Sequence, residues 1–208
     1  MTDQNEIEIA ATDLLSKLKL EDEGPSSIDT LICDVGYGFP KEKKPRREKI
    51  NAVTRQIVNF LEWQVKEGKE DSNKVLAAVK IVGCQDEATK LVLEERTKTL
   101  LKTDSMPSHV LFTCDPLDVV CNPAGNGERK PIYLSPDAEE ALDPAKRPPS
   151  LVVIGMLIDR RVQPNRSRDR ALGLNLTPQR WALGECFTEI NPNEPLNVDC
   201  VLEGMQQW

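Results

Sequence analysis

The sequence has few of the side chains that most often carry catalysis or bind metals. Its 208 residues include one histidine, and aromatic residues make up 4%. None of the six cysteines forms a Cys-x-x-Cys pair, and with a single histidine we expect no zinc site. Without a secretion signal we expect the thiols to be reduced and mostly buried, and nothing suggests a Ser/His/Asp triad. The glycine signatures GxGxxG and GxxxxGK are also absent, which argues against the usual dinucleotide and P-loop sites.

Long apolar runs are missing too. The longest, over 151–158, is too short to span a bilayer, and the chain does not open on a secretory leader. We therefore expect an intracellular protein without a membrane partner, in the nucleus or cytoplasm. The acidic first residues argue against a mitochondrial transit peptide.

Positive charge is in short supply, with a net charge of −7. Residues 1–30 hold eight acidic residues and two lysines, a net of −6, so the rest of the chain is almost neutral. Its two basic groups, over 41–49 and 160–170, can still contact phosphate. We expect an acidic flexible arm over 1–27 and one folded domain over 28–208.

Short apolar segments alternate with amphipathic ones, which predicts an α/β fold with a mainly parallel sheet flanked by helices. The segments with strand character are 30–35, 75–82, 110–113, 131–134, 151–158 and 187–190. Helical spacing is found over 50–61 and 87–103. Ser135-Pro136-Asp137, Thr177-Pro178 and Asn197 have the pattern of helix N-termini.

Ligands of parallel sheets bind beyond the carboxyl ends of the strands, and Asp159 is a carboxylate that ends the most apolar strand. Spacing alone also allows Asp159 to be a cap or an ion-pair partner of a neighbouring arginine. Arginines follow it in a predicted loop, which is either a solvated surface or a contact for RNA phosphates. The basic residues that we predict to contact RNA are Arg160, Arg161, Arg166, Arg168, Arg170, Lys43, Lys44, Arg46 and Arg47.

Three motifs, in this order, resemble those of one known family. They are IYLSPD over 132–137, VIGMLIDR over 153–160, and Gly173-Leu174 followed by Leu176-Thr177. SPOUT-superfamily tRNA methyltransferases of the tRNA methyltransferase 10 type, which modify N1 of guanine or adenine at position nine of tRNA, have similar motifs in similar order. The segments 31–35 and 50–61 resemble the opening strand and helix of that family.

The resemblance implies a SPOUT fold whose C-terminal segment forms a trefoil knot, and a monomer that binds tRNA, with a protein partner left open. It also implies that the loops of the knot bind S-adenosyl-L-methionine, the methyl donor, without a metal. The positions that match those loops are Leu134, Ser135, Gly155, Met156, Leu157, Leu176, Ile190, Asn197, Val198 and Asp199.

The resemblance places the general base at Asp159. Guanine N1 carries a proton that must leave before N1 can attack the methyl group, and a carboxylate within hydrogen-bond reach can accept it. Adenine N1 has a free lone pair and needs a base less. The sequence does not decide between the two purines.

Met156 stands where the family usually has a second glycine against the cofactor. A second hypothesis is therefore a catalytically silent SPOUT domain that binds RNA or a protein partner as a scaffold. A third, an unrelated α/β enzyme acting on a small molecule, is favoured less by these motifs.

Overall fold

The computed structural model describes residues 28–70, 75–121, 131–143, 146, 148–158, 163–181 and 197–207. The predicted acidic arm over 1–27 lies outside these ranges, so its division from the domain over 28–208 stays a prediction. Of the described cysteines, Cys33, Cys84 and Cys121 are buried and free.

Strands and helices alternate along most of the described chain. The strands are β1 (Thr30–Asp34), β2 (Ala78–Val82), β3 (Val110–Phe112), β4 (Ile132–Leu134), β5 (Leu151–Gly155) and β6 (Thr177–Gln179). The helices are α1 (Lys43–Glu70), α2 (Glu87–Leu101), α3 (Leu117–Cys121), α4 (Arg166–Gly173) and α5 (Val198–Gln207).

All six strands are parallel and form one sheet in the order β3-β2-β1-β5-β4-β6. This confirms the predicted α/β class. The chain leaves β1 toward β2 on one side and leaves β5 toward β6 on the other. The topological switch point, where sheets of this kind bind ligands, is therefore between β1 and β5.

Side chains alternate between the two faces of the sheet, and each face has its own core. On the first face Leu31, Val152 and Ile154 belong to a core cluster with residues of α1, α2 and α5. On the second face Ile32 and Val153 belong to a cluster with residues of α3 and α4. Burial on both faces explains the continuous apolar runs of the central strands.

A buried polar seam joins α5 to α1. The amide of Gln206 donates to Val75 O, and its Oε1 accepts from Gln64 Nε2 and from the backbone N–H of Ala77, both at 2.9 Å. Nearer the start of α5, Asn59 donates to the buried carboxylate of Asp199 at 2.7 Å. Because these bonds join α5 to α1 at two points, they fix the position of α5 along the axis of α1.

Two of the predicted helix starts, at Ser135 and at Thr177, are wrong. Ser135 and Asp137 do not begin a helix of their own; Ser135 Oγ hydrogen-bonds Ser167 Oγ at 2.8 Å, and Asp137 accepts from the backbone N–H of Asn165 at 2.7 Å. Both groups thus hold the start of α4. Thr177-Pro178 forms the edge strand β6, where a proline needs no partner for its missing N–H.

The arginines predicted to lie in a loop include three on a helix, since Arg166, Arg168 and Arg170 belong to α4. The predicted strand over 187–190 lies outside the described residues. The trefoil knot depends on 159–162 and 182–196, which are also outside them, so the knot stays a prediction.

Candidate functional site

The switch point brings the ends of β1 and β5 side by side. Asp34, the last residue of β1, is the register partner of Gly155, the last residue of β5. Their neighbour along the sheet, Tyr133 of β4, lies on the same face, toward α4. The three residues form the floor of a polar cluster that the sequence patterns did not predict.

Asp34 is completely buried, and its carboxylate accepts four hydrogen bonds. Oδ1 accepts from the backbone N–H of Gly36 and from Arg170 Nη2, both at 2.9 Å. Oδ2 accepts from Tyr133 Oη at 2.8 Å and from Arg170 Nε. Since both oxygens are occupied and the arginine fork binds them together, this carboxylate is held in place by its partners and is not positioned to act as a general base.

The chain has two tyrosines, and both belong to this cluster. The hydroxyl groups of Tyr37 and Tyr133 are 2.7 Å apart. Gly155 lies directly beneath them: a Cβ at this position would come within 2.7 Å of Tyr37 Oη and 2.9 Å of Tyr133 Oη. The absent side chain of Gly155 therefore makes room for the tyrosines, which is a different reason for glycine from the cofactor contact that we predicted.

Two arginines of α4 cover the ring of Tyr37. The guanidinium carbon of Arg170 is 4.9 Å from the ring centroid, and that of Arg166 is 5.4 Å away. Both distances are within the range of cation–π attraction. Tyr37 thus links the loop after β1 to the first turns of α4.

Burial and charge shift the acid–base behaviour of the cluster. Burial raises the pKa of Tyr133 far above the ordinary value, and the neighbouring Asp34 carboxylate raises it further. The pKa of Tyr37 is raised mainly by burial, while the two arginines oppose that shift. The hydrogen bonds to Asp34 raise the pKa of Arg170, so this guanidinium stays protonated over the whole physiological range.

An apolar group of residues occupies the opposite face at the same edge of the sheet. Leu134, at the end of β4, and Met156, just after β5, are buried in the first core cluster. Val198 at the start of α5, Ile158 and Trp181 pack against that cluster. These residues end or follow β4, β5 and β6 or begin the last helix, so they are candidates to line an apolar cofactor pocket.

The other predicted cofactor residues are distributed differently. Ser135 is buried against α4, and Leu157 is half-buried. Leu176 precedes β6 and is therefore at the amino edge of the sheet, whereas Leu134 and Met156 are at the carboxyl edge; its role at the cofactor stays a prediction. Asn197 is exposed, whereas Asp199 is buried and bonded to α1. Ile190 lies outside the described residues.

The predicted RNA contacts form two groups at the carboxyl edge. One begins α1, where Lys43, Lys44 and Arg47 are exposed, while Arg46 is half-buried, donates to Thr89 Oγ1 at 2.5 Å and lies over Phe39. The other is on α4. Three further predicted positions lie outside the described residues: Asp159, Arg160 and Arg161.

Sequence reasoning missed Asp34, Tyr37, Tyr133 and Trp181. Asp34 ends a buried strand just as Asp159 follows one, and this shared position was the available signal. No local pattern pairs Asp34 with Arg170, which is 136 residues away. Trp181 follows β6, and it was missed because a helix, not a strand, was predicted to begin at Thr177.

Solved structures of Trm10 proteins are similar to this chain. The structure of spTrm10(74) matches 89% of this chain and 88% of its own, with a TM-score of 0.60 and 16% sequence identity. Full-length spTrm10, in a complex with SAH, matches 89% and 91%, with a TM-score of 0.56 and 14% identity. A dual specific Trm10 from Thermococcus kodakaraensis matches 86% of this chain and 99% of its own, with a TM-score of 0.50 and 12% sequence identity.

The chain has the Trm10 fold. No family profile matches its sequence, and no curated protein matches it, so the likeness is carried by structure. Within this Trm10 fold, the polar cluster and the apolar group are on opposite faces of one edge of the sheet. In the parts of the chain that the structure describes, no helix could cross a membrane and no three potential ligand side chains group as a metal site would require.

Proposed function

We propose that this protein is an S-adenosyl-L-methionine-dependent methyltransferase that modifies N1 of the purine, in the first place guanine, at position nine of tRNA. The observation that carries the proposal is the Trm10 fold over 89% of the chain, with the motifs of the SPOUT family at the carboxyl ends of β4 and β5. One of the similar structures is an SAH complex. SAH is S-adenosylhomocysteine, which the methyl donor becomes when its methyl group has been transferred.

The cofactor is proposed to bind on the face of the apolar group. Leu134, Met156 and Val198 come there from three separate segments, and Trp181 adds an aromatic ring beyond β6. An adenosyl group presents flat apolar faces, which such residues can contact. The bound cofactor supplies an electrophilic methyl group on its sulfonium.

The role of the protein at the target base is proton removal. In this proposal Asp159, four residues after the end of β5 in the sequence, accepts the N1 proton of guanine while N1 attacks the methyl group. An isolated aspartate is a weak base at neutral pH, with a pKa of about 3.9, so partial burial of the group would strengthen it. Asp34, whose two oxygens already accept four hydrogen bonds, is not proposed for this role.

The substitution Asp159→Asn tests the base. We expect methyl transfer to guanine to fall by about 100-fold or more, the usual contribution of a general base, while tRNA affinity remains within about twofold. After incubation of tRNA with the protein and the cofactor, mass analysis of the nucleosides identifies the product, and mass mapping of nuclease fragments of the same tRNA gives its position. Unchanged turnover would remove Asp159 from the mechanism.

A calorimetric titration with S-adenosyl-L-methionine and with S-adenosylhomocysteine tests the cofactor directly. We expect saturable binding of both. A titration without binding heat at several temperatures would contradict the enzyme, while RNA binding that persists in the same preparation would favour the alternative below.

The second candidate is a silent SPOUT domain that binds RNA or a protein as a scaffold. The observation in its favour is Met156, whose side chain is 1% exposed and fills part of the core where the family usually has glycine. The substitution Met156→Gly decides between the two: a scaffold with a blocked pocket would gain cofactor affinity, whereas an active enzyme already binds the cofactor.

A further inference from the structure

The arginines of α4 do not all have the same surroundings. Arg170 turns toward the sheet and binds Asp34 at the buried end of β1 with two hydrogen bonds. Asp169 on the same helix is exposed, and Arg168 lies beside it at 3.4 Å. The position of the helix on the sheet edge is thus tied to a carboxylate that solvent and RNA cannot reach.

The same carboxylate also holds the loop that connects β1 to α1. Asp34 accepts from the N–H of Gly36, and the Tyr133 hydroxyl that it binds is bonded in turn to Tyr37. Tyr37 lies under Arg166 of α4, and two residues later Phe39 lies under Arg46 of α1 at 5.8 Å. The basic residues of α4 and those at the start of α1 therefore both contact the loop between β1 and α1, and Asp34 is hydrogen-bonded to that loop.

We propose that Asp34 and Arg170 are a buried positioning pair, which sets the arginines of α4 and the basic start of α1 in register with each other to bind an RNA backbone. The inference rests on the proposed function for its ligand, RNA. It adds Asp34, and it gives Arg170, which the sequence predicted to contact RNA, a positioning role instead. A paired buried charge is costly to remove from water, and what it contributes in return is one defined geometry. Phosphates along an RNA strand have fixed spacing, so two basic groups bind them together only if the groups keep a fixed separation.

Charge removal gives opposite results for a positioning role and for simple electrostatics. Asp34→Asn removes one negative charge, so electrostatics alone predicts tighter RNA binding. The positioning role predicts weaker binding, because the arginine fork loses its partner and α4 loses its tie to β1. The matched control is Asp169→Asn, which removes one negative charge from an exposed site on α4 and should leave RNA affinity unchanged or slightly higher.

Fluorescence-anisotropy titrations with one tRNA at several salt concentrations measure this. For Asp34→Asn we expect affinity lower by about tenfold and a salt slope smaller by about 1, as when a phosphate contact is lost. The double variant Asp34→Asn/Arg170→Gln has no unpaired buried charge, and circular dichroism will report its folding. Its affinity should be as low as that of Asp34→Asn, rather than lower by the product of two effects.

The possible results separate this inference from the proposed function. Wild-type tRNA affinity in the folded double variant, or tighter binding by Asp34→Asn, would overturn the positioning pair while leaving the methyltransferase intact. Weaker tRNA binding by Asp34→Asn and by the double variant, with unchanged binding by Asp169→Asn, supports the pair even if no methyl transfer is found. A wild-type protein that binds no tRNA would overturn the RNA ligand itself.

Discussion

Asp34, which ends a buried parallel strand, and Asp159, which follows one in the sequence, are assigned different roles. Asp34 has four hydrogen-bond donors and an arginine partner, so it holds structure in place. Asp159 is the residue that the family resemblance makes a base. Position at a strand end marks a carboxylate as a candidate, but its partners decide its role.

Gly155 can be tested for the reason that we give for it. We expect Gly155→Ala to lower the free energy of unfolding by about 1–3 kcal/mol, because the added methyl group overpacks two tyrosine hydroxyls that other bonds hold. Gly173→Ala at the end of α4 is the control, since no atom is within 4 Å of its Cβ, and it should change stability by less than about 1 kcal/mol. Urea unfolding of both variants measures the difference; equal stabilities would contradict the crowding at Gly155.

The two tyrosines allow a prediction about pH. Their pKa values are raised in the folded protein, so the folded state keeps phenolic protons that the unfolded state releases near pH 10. The two tyrosines therefore leave the free energy of unfolding unchanged below about pH 9. Above about pH 10 each lowers it by up to about 1.4 kcal/mol per pH unit.

Tyrosinate absorbance measures this titration without interference, since the chain has no tyrosine outside the cluster. We expect little tyrosinate at pH 10 in the folded protein and a rise that coincides with unfolding. Tyr37→Phe should halve the final amplitude. Half-ionised tyrosine in a protein that is still folded at pH 10 would contradict the buried cluster.

At the scale of elements, long-range bonds decide where α4 and α5 lie. Asn165, the residue before α4, has a φ of 62° and no side-chain cap of its own. The loop after β4 holds this start in place, because Ser135 Oγ is bonded to Ser167 Oγ and Asp137 accepts from the N–H of Asn165. This explains why a good local capping sequence at Ser135 does not produce a helix there.

The polar seam under α5 predicts the cost of losing one amide. Gln206→Ala leaves the buried N–H of Ala77 without its acceptor, and we expect a loss of about 1–3 kcal/mol in unfolding free energy. Gln207→Ala, at the neighbouring exposed position, should stay within about 0.5 kcal/mol of the wild type. Thermal unfolding compares them, and a neutral Gln206→Ala would mean that the seam contributes little.

At the scale of the whole molecule, the net negative charge of the protein disfavours binding of tRNA, its proposed partner. Most of the net charge of −7 is in the first thirty residues, and RNA is a polyanion. We expect removal of residues 1–27 to tighten tRNA binding by about threefold to tenfold at low salt, because a repulsive segment is lost, and the gain should shrink as salt screens it. Anisotropy titrations at low and high salt test this; unchanged affinity at both would show that the acidic segment does not face the RNA.

The sequence by itself determined the fold class, most strand positions and the family resemblance, because apolar runs and amphipathic spacing are local signals of burial. The predicted strands before residue 160 and the helices at 50–61 and 87–103 are present in the structure. Only the tertiary structure decided that Thr177–Gln179 is a strand, that Leu176 is at the amino edge, and that Asp34 binds Arg170. The physical reason is that a cap, an edge strand or an ion pair depends on partners far away in the chain, and no local pattern of residues encodes which partner will be near.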